Sequence, residues 1–423
     1  MPSRPDVART GHFVVRRSEA PPGLARRQVL TAGVLGTLAA AIAACTRQRD
    51  SLPAAQTLPT GPDLVFGASL ELSGSGAVAG TAQQRALKIA QDTLNTDGVA
   101  VAGTVRRVQV IVRDNHSDPA TAAAIAKEFV DAKVSGVIGG GLAATSIAMA
   151  GVLDPHGLPM LSTCAAETVA QPVANRRFVF KLGPNADDVA ALMRGAFDRD
   201  GAPATRVAVL AQANDHGDAG VEAVRKVLTA DGRKLVALER LPAGAADYRA
   251  QAGRVLAAGP EAAVIWAVSP VSGLAARSLR AAGYSRRMLF DSGAASDDSL
   301  VPANRAVMAD SYVVAPQILG GTPVAVNTPT GLAQQDFFDR YSRAYGGFSC
   351  LGVYAADAVN LLAGAAGRTG ATTPLRIRNE LEASPFDGLA GAYVFSTATH
   401  GGMQPEGLAL FSLERNGGWL ELS

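Results

Sequence analysis

From residue 64 to residue 413 the sequence alternates short apolar runs with stretches of helical period, and this alternation limits the fold more than any other feature. Leu64-Val65-Phe66-Gly67-Ala68 is too short for a helix and lacks polar alternation, which is the pattern of a strand buried on both faces. A loop follows, Ser73-Gly74-Ser75-Gly76, then a helix over 82–94 with Leu87, Ile89, Ala90 and Leu94 on its apolar face. The next strand spans 108–112. Asp118 before Pro119 opens a helix as an N-cap followed by proline in the first turn, with Ile125, Phe129 and Val130 facing inward. Strands at 137–139 and 158–162 flank a helix over 144–153. Later strands at 207–210, 235–238, 263–268 and 288–290 alternate with helices at 217–231, 246–258 and 271–283. Helical patterns return at 334–345, 354–366 and 375–382, with late strands at 392–395 and 408–413. The pattern predicts an α/β fold of mostly parallel sheets with helices on both faces. The chain has 423 residues, more than one core, so two such lobes are expected. Ligands of parallel sheets sit beyond the carboxyl ends of the strands, so the loops that follow strands are the ones to watch.

The N-terminus reads as an address. Residues 1–44 carry six Arg against Asp6 and Glu19, more than the whole chain's excess of +2, so the remainder is mildly acidic. Arg26-Arg27 precedes an apolar run from Val29 to Ala44, shorter than a bilayer span. A positive front and a small-residue end are signal-peptide features. The run closes on Ile42-Ala43-Ala44-Cys45, which resembles a lipobox, with Cys45 as the lipid attachment site. Residues 1–44 are therefore read as a lipoprotein signal. The Arg pair resembles a twin-arginine signal, but Ala25 stands where a hydroxyl residue is usual, so general secretory export stays open. Residues 45–62 are polar with Pro and Gly, read as a lipid-anchored tether. The expected location is extracytoplasmic, on the membrane surface. No other stretch reads as long and apolar enough to cross a membrane.

Several classes are excluded. A balance of 39 basic against 37 acidic residues gives no footprint for nucleic acid. Three cysteines make no disulfide scaffold, and five histidines without ligand spacing argue against a zinc site. There is no G-x-S-x-G elbow, H-E-x-x-H pair or Walker loop, so neither an enzyme nor a cofactor is expected.

The segments resemble, in order, the leucine/isoleucine/valine-binding protein family, type I periplasmic binding proteins that serve ABC importers. The likeness runs through Phe66-Gly67-Ala68 to Leu72-Ser73-Gly74, then Val112-Arg113-Asp114 and Ser117-Asp118-Pro119. It continues in Val137-Ile138-Gly139-Gly140, Gly157-Leu158-Pro159-Met160 and Phe180-Lys181 to Pro184. Val207 to His216-Gly217, Leu279 to Tyr284, and Tyr354 to Val359 with Phe386-Asp387-Gly388 complete it. The resemblance implies two lobes joined by three hinge crossovers. The first would be 63–184 plus 316–400 and the second 185–315 plus 401–423. It implies a substrate-binding lipoprotein of an importer, partnered by an ABC permease and ATPase. The alternative is a ligand-sensing receptor subunit of the same fold, signalling to a membrane partner.

The resemblance also implies a ligand site, and this sequence departs from it. The family's carboxylate-binding hydroxyl falls on Ala143, with Thr145 and Ser146 as replacements in a shifted register. Its threonine falls on Ala166, after Ser162-Thr163-Cys164. Its first-loop aromatic falls on Ala79, beyond Ser73 and Ser75, and its second-lobe tyrosine is His216. Its second-lobe acid falls near Ala294, with Asp291 three residues earlier, and its hinge acid falls on Ala186 or, shifted by one, Asp187. Ser349 and Cys350 precede a helix that borders the cleft in the family. These positions form the expected ligand-binding set, and each has a plain structural reading beside it. Ser73 and Ser75 suit a turn, Thr145 and Ser146 a helix start, and Cys164 a buried hydrophobe. His216 suits a surface loop, Asp291 a cap and Asp187 a helix N-terminal charge. Asp114 and Asp118 read as turn and cap residues. An ammonium buried without an anion is costly, whereas backbone N–H groups at a helix start hold a carboxylate. The expected ligand is thus a small carboxylate, an amide or a largely apolar solute, unless Asp291 or Asp187 restores an amino-acid site. Whether Cys164 and Cys350 pair is left open.

Overall fold

The computed structural model describes residues 59–201, 203–321 and 327–422. The leader, Cys45 and most of the tether lie outside the described residues.

The first lobe starts with β1 (Leu64–Leu70), α1 (Ala77–Asp97), a hairpin of β2 (Val99–Val101) and β3 (Thr104–Arg106), and β4 (Val108–Asp114). Then come α2 (Pro119–Asp131), β5 (Val137–Gly139), α3 (Ala143–Leu153), β6 (Met160–Ser162) and β7 (Val179–Lys181). The chain crosses over and continues with α4 (Ala186–Phe197), β8 (Arg206–Gln212), α5 (Asp215–Ala230), β9 (Lys234–Leu241) and α6 (Arg249–Ala257). There follow β10 (Ala262–Trp266), α7 (Val271–Ala281), β11 (Arg287–Phe290), α8 (Pro302–Met308) and β12 (Tyr312–Pro316). It returns for α9 (Pro329–Tyr345), α10 (Cys350–Thr369), α11 (Pro374–Ala383), β13 (Phe386–Asp387) and β14 (Ala392–Tyr393). It crosses a last time into β15 (Leu408–Leu413) and β16 (Trp419–Leu422).

One sheet has the order β4-β1-β5-β6-β7, all parallel. The other has the order β16-β15-β12-β11-β10-β8-β9, in which β15 alone runs antiparallel to its neighbours, β12 and β16. Strands such as β10 (Ala-Ala-Val-Ile-Trp) are buried along their whole length, as parallel strands covered on both faces must be. In the first lobe α1 packs with α10 while α2 packs with α3; in the second α4 packs with α5 while α6, α7 and α8 adjoin one another. Local chemistry sets several starts: the Asp118 carboxylate accepts from Thr121 N at 2.7 Å, and Asn214 caps α5 by accepting from Gly217 N at 3.0 Å.

Eight of these elements stand outside the sequence reading: β2, β3, β7, α4, α8, β12, β13 and β16. β12 is a five-residue apolar run ending in proline, too short to show a period. β7 is three residues long, and α4 carries Asp187 and Asp188 in its first turn, where the sequence reading gave Asp187 a helix N-terminal charge but no helix span. One reading is corrected: α10 is long and apolar enough to cross a membrane, with a mean hydropathy of 1.3. It is nevertheless mostly buried, as the core helix between α1 and α11.

Lys181 ties two of the crossings. It is fully buried, and its Nζ donates to Gly183 O at 2.9 Å, Pro184 O at 3.3 Å and Asn185 Oδ1 at 2.9 Å. Its backbone N–H donates to His400 O at 2.8 Å, next to the last crossing. The His400 ring stacks on Phe180 and bonds to Glu382 Oε1 at 3.0 Å.

A second buried charge sits on α10. Asp357 accepts from Leu389 N at 2.6 Å, Ala390 N at 2.9 Å and Tyr393 Oη at 3.0 Å, fastening the β13–β14 turn to the helix. Burial outweighs these bonds and pushes its carboxyl up to about 7. The folded protein therefore holds this proton at pH values where the unfolded chain has lost it, so the contribution is complete at acid pH and disappears as pH rises through 7. We expect the melting temperature of the wild type, measured against Asp357→Asn, to fall between pH 5 and pH 8. A difference that stays constant over that range would refute the assignment.

Candidate functional site

The two sheets present their strand ends to each other across a cleft, and a glycine brings one helix of each lobe onto it. A Cβ on Gly80 would lie 1.9 Å from Glu71 O, at the end of β1, and a Cβ on Gly217 would lie 1.9 Å from Gln212 O, at the end of β8. Only glycine allows α1 and α5 to start so close to those carbonyls.

Among the described residues the interlobe space holds a cavity of about 380 Å³ between Val78, Thr81 and Arg85 and Asp297, Asp298 and Val301 and, at the strand ends, two adjoining ones. The outer one, about 280 Å³, lies between Ser75, Ala77, Val78 and Leu142 on one side and Tyr248, Val271, Leu274 and Arg277 on the other. The inner one, about 40 Å³, is lined by Gln83, Thr163, Cys164, His216, Ser292 and Tyr354. Ala79, Gly141 and Val268 border both. The lobes touch around them. Arg85 Nη1 lies 3.2 Å from Asp297 Oδ2, Thr168 Oγ1 donates to Asp215 Oδ2 at 2.8 Å, and Cys350 N donates to Ala295 O at 2.9 Å.

The residues expected from sequence divide into three groups. Ser75 borders the outer cavity, and Thr163, Cys164 and His216 border the inner one. Thr145, Ser146 and Ser162 turn into the first lobe: Thr145 Oγ1 donates to Glu71 Oε1 at 2.6 Å, and the Ser146 and Ser162 hydroxyls bond to each other at 2.9 Å. Ser73 Oγ is held by Asp114 Oδ2 at 2.8 Å and His116 Nδ1 at 2.7 Å. Asp187 lies on the exposed face of α4, paired with Lys226 at 2.8 Å. Ser349 is buried before α10, and its hydroxyl has no hydrogen-bond partner. Cys164 and Cys350 are both free and buried. Burial lifts the Cys164 thiol to about 12, which leaves it an unreactive hydrophobe.

Asp291 lies under the inner pocket and is fully engaged. Its Oδ1 accepts from Ala267 N at 2.8 Å, and its Oδ2 accepts from Gly293 N at 3.0 Å and from His216 Nε2 at 2.9 Å.

Sequence reasoning missed Glu71, Gln83 and Tyr354. Glu71 is fully buried at the start of α3, where Oε2 accepts from Gly141 N at 2.8 Å and Oε1 from Thr145 and from Asn115 at 3.3 Å. Burial raises its carboxyl above the ordinary range against the pull of these bonds. Gln83 had a readable signal: it lies four residues from both Ala79 and Leu87, on the buried stripe of α1.

The family's sequence profile, described as periplasmic binding protein, matches residues 64–418. The chain belongs to the periplasmic binding protein family. This member is 25% identical over 334 residues to an amino acid binding protein of Pseudomonas aeruginosa, covering 78% of this chain and 85% of that one. It is 22% identical over 325 residues to the leucine-, isoleucine-, valine-, threonine- and alanine-binding protein of the same organism, covering 75% and 83%. Among solved structures, an extracellular ligand-binding receptor from Rhodopseudomonas palustris superposes with a TM-score of 0.76 at 19% identity, covering 86% of this chain and all of that one. LivJ of Streptococcus pneumoniae, solved with isoleucine, gives 0.71 at 21% identity, covering 85% of this chain and 100% of that one. The fold is thus the two-lobed type I architecture.

Proposed function

We propose that this periplasmic binding protein captures a small organic solute, of the size its amino-acid-binding relatives take, in the interlobe cleft and presents it to an ABC permease. The observation that carries the reading is the cleft itself. Two cavities lie between lobes that the chain links three times, bordered from both sides by loops at strand ends. Such linkage suits hinge closure over a ligand. The lipobox-like Ile42-Ala43-Ala44-Cys45 supports an extracytoplasmic protein held to the membrane by a lipid on Cys45. The division into lobes at 63–184 with 316–400, and 185–315 with 401–423, belongs to the same reading.

Two measurements test it. Labelled palmitate fed to expressing cells is expected in the wild type and absent from Cys45→Ala. In proteoliposomes, the solute-loaded protein is expected to raise the ATPase rate of its permease. Unchanged ATPase would leave the capture of solute intact and sink delivery.

A further inference from the structure

The inner pocket is lined by uncharged groups and His216, and the acids nearest to it already hold donors. A zwitterionic amino acid needs an anion for its ammonium and donors for its carboxylate. Asp291 already takes three donors, and Asp187 is on the outer surface with Lys226. At the start of α3, the donors that suit a ligand carboxylate face Glu71, which holds Gly141 N and Thr145 Oγ1. An arriving carboxylate would meet that buried carboxyl. Arg277, on the wall of the outer cavity, donates to the neutral Asn304 Oδ1 and does not border the inner pocket.

Two buried polar atoms on the inner pocket lack partners. Gln83 is 2% exposed; its Nε2 donates to Thr163 Oγ1 at 2.9 Å, and the Thr163 hydroxyl donates to Gly139 O at 3.2 Å. That chain fixes the amide orientation and leaves Gln83 Oε1 as an acceptor without a donor. Tyr354 is 4% exposed, and its hydroxyl approaches Ser292 without a bond of ordinary geometry. One is a free acceptor and the other a free donor, and both border the same pocket. Buried polar groups left unpaired are costly, so a ligand that pairs both gains selectivity over one that pairs neither.

We propose that the cleft selects an uncharged solute with a primary carboxamide head. The head's N–H donates to Gln83 Oε1 and its carbonyl accepts from the Tyr354 hydroxyl. An apolar body fills the outer cavity against Ala77, Val78, Val271 and Leu274. This rests on the solute-capture reading and names its substrate class.

The test is calorimetric titration of the purified protein with three head groups on each of three bodies. Amide, carboxylate and α-amino acid are compared on isobutyl, phenyl and cyclohexyl skeletons, for example 3-phenylpropanamide, 3-phenylpropanoate and phenylalanine. The amide is expected to bind about a hundredfold tighter than its amino acid on the best body. Tyr354→Phe is expected to weaken the amide about tenfold without lowering the melting temperature of the ligand-free protein, since it deletes an unpaired hydroxyl. Gln83→Met is expected to weaken it similarly. An amino acid or carboxylate that binds as tightly as its amide overturns the proposal. So does the absence of millimolar binding by every amide, or a Tyr354→Phe protein with unchanged amide affinity. Permease stimulation separates the two readings. A protein that binds the amino acid and drives the permease keeps the importer and loses the amide.

Discussion

Gly217→Ala is expected to cost about 3 kcal/mol or more of stability and to abolish solute binding, because overpacking against backbone cannot be relieved by a rotamer change. The added Cβ would lie 1.9 Å from Gln212 O and 2.9 Å from Gln212 N. To make room, α5 must withdraw from the end of β8. That shift breaks the Asn214 cap on Gly217 N and moves His216 away from Asp291. Stability and site geometry fail together because one glycine serves both. Gly253→Ala is the control: it lies inside α6 with nothing near its Cβ position, so alanine there is expected to gain about 0.5–1 kcal/mol. Thermal unfolding of both variants checks the contrast. A Gly217→Ala protein as stable as the wild type would mean that α5 does not sit against β8 as described.

Lys181→Ala is the second large effect. The ammonium is fully buried and serves three oxygen acceptors within the first crossing, while Glu167 lies 3.6 Å away. Burial lowers its proton affinity, with Glu167 acting against that shift. Removing it strands Gly183 O, Pro184 O and Asn185 Oδ1 in a site without another donor on the side chain's path, at about 3–5 kcal/mol in total. The melting temperature should fall by roughly 5 °C or more for a chain of this size. Lys181→Met keeps most of the stem's packing and isolates the charge. If Met restores the wild-type melting temperature, the ammonium is not what holds the crossing.

The fold was legible because parallel strands and covering helices leave coarse marks. The apolar run at β1, the Asp118-Pro119 start of α2 and the alternation in the second lobe all correspond to observed elements. Some short elements left no mark, as with β7 and β12, although β5 and β10 of the same lengths were read. The site was less legible for a different reason. A polar residue in sequence does not say whether its bonds close within the lobe or open to the cleft. Thr145 and Ser146 close inward, on Glu71 and on Ser162, although their loop borders the cleft. Asp291 looked like an available acid, and the fold surrounds it with two backbone N–H groups and a histidine. Gln83 and Tyr354 come together from α1 and α10, helices that begin more than 270 positions apart in the chain, so no local pattern pairs them.

The central claim is that solute binds in the cleft between the lobes, and blocking that cleft tests it most directly. Ala79 borders both cavities, so Ala79→Trp puts an indole where the ligand would lie. Thermal unfolding of wild type and variant would be followed with the tightest solute of the head-group series. At 100 times its Kd a ligand adds about 2.7 kcal/mol to the wild type. The account predicts that this stabilisation vanishes in Ala79→Trp while the ligand-free variant stays folded. Equal stabilisation of the two proteins would place the solute elsewhere and contradict the account.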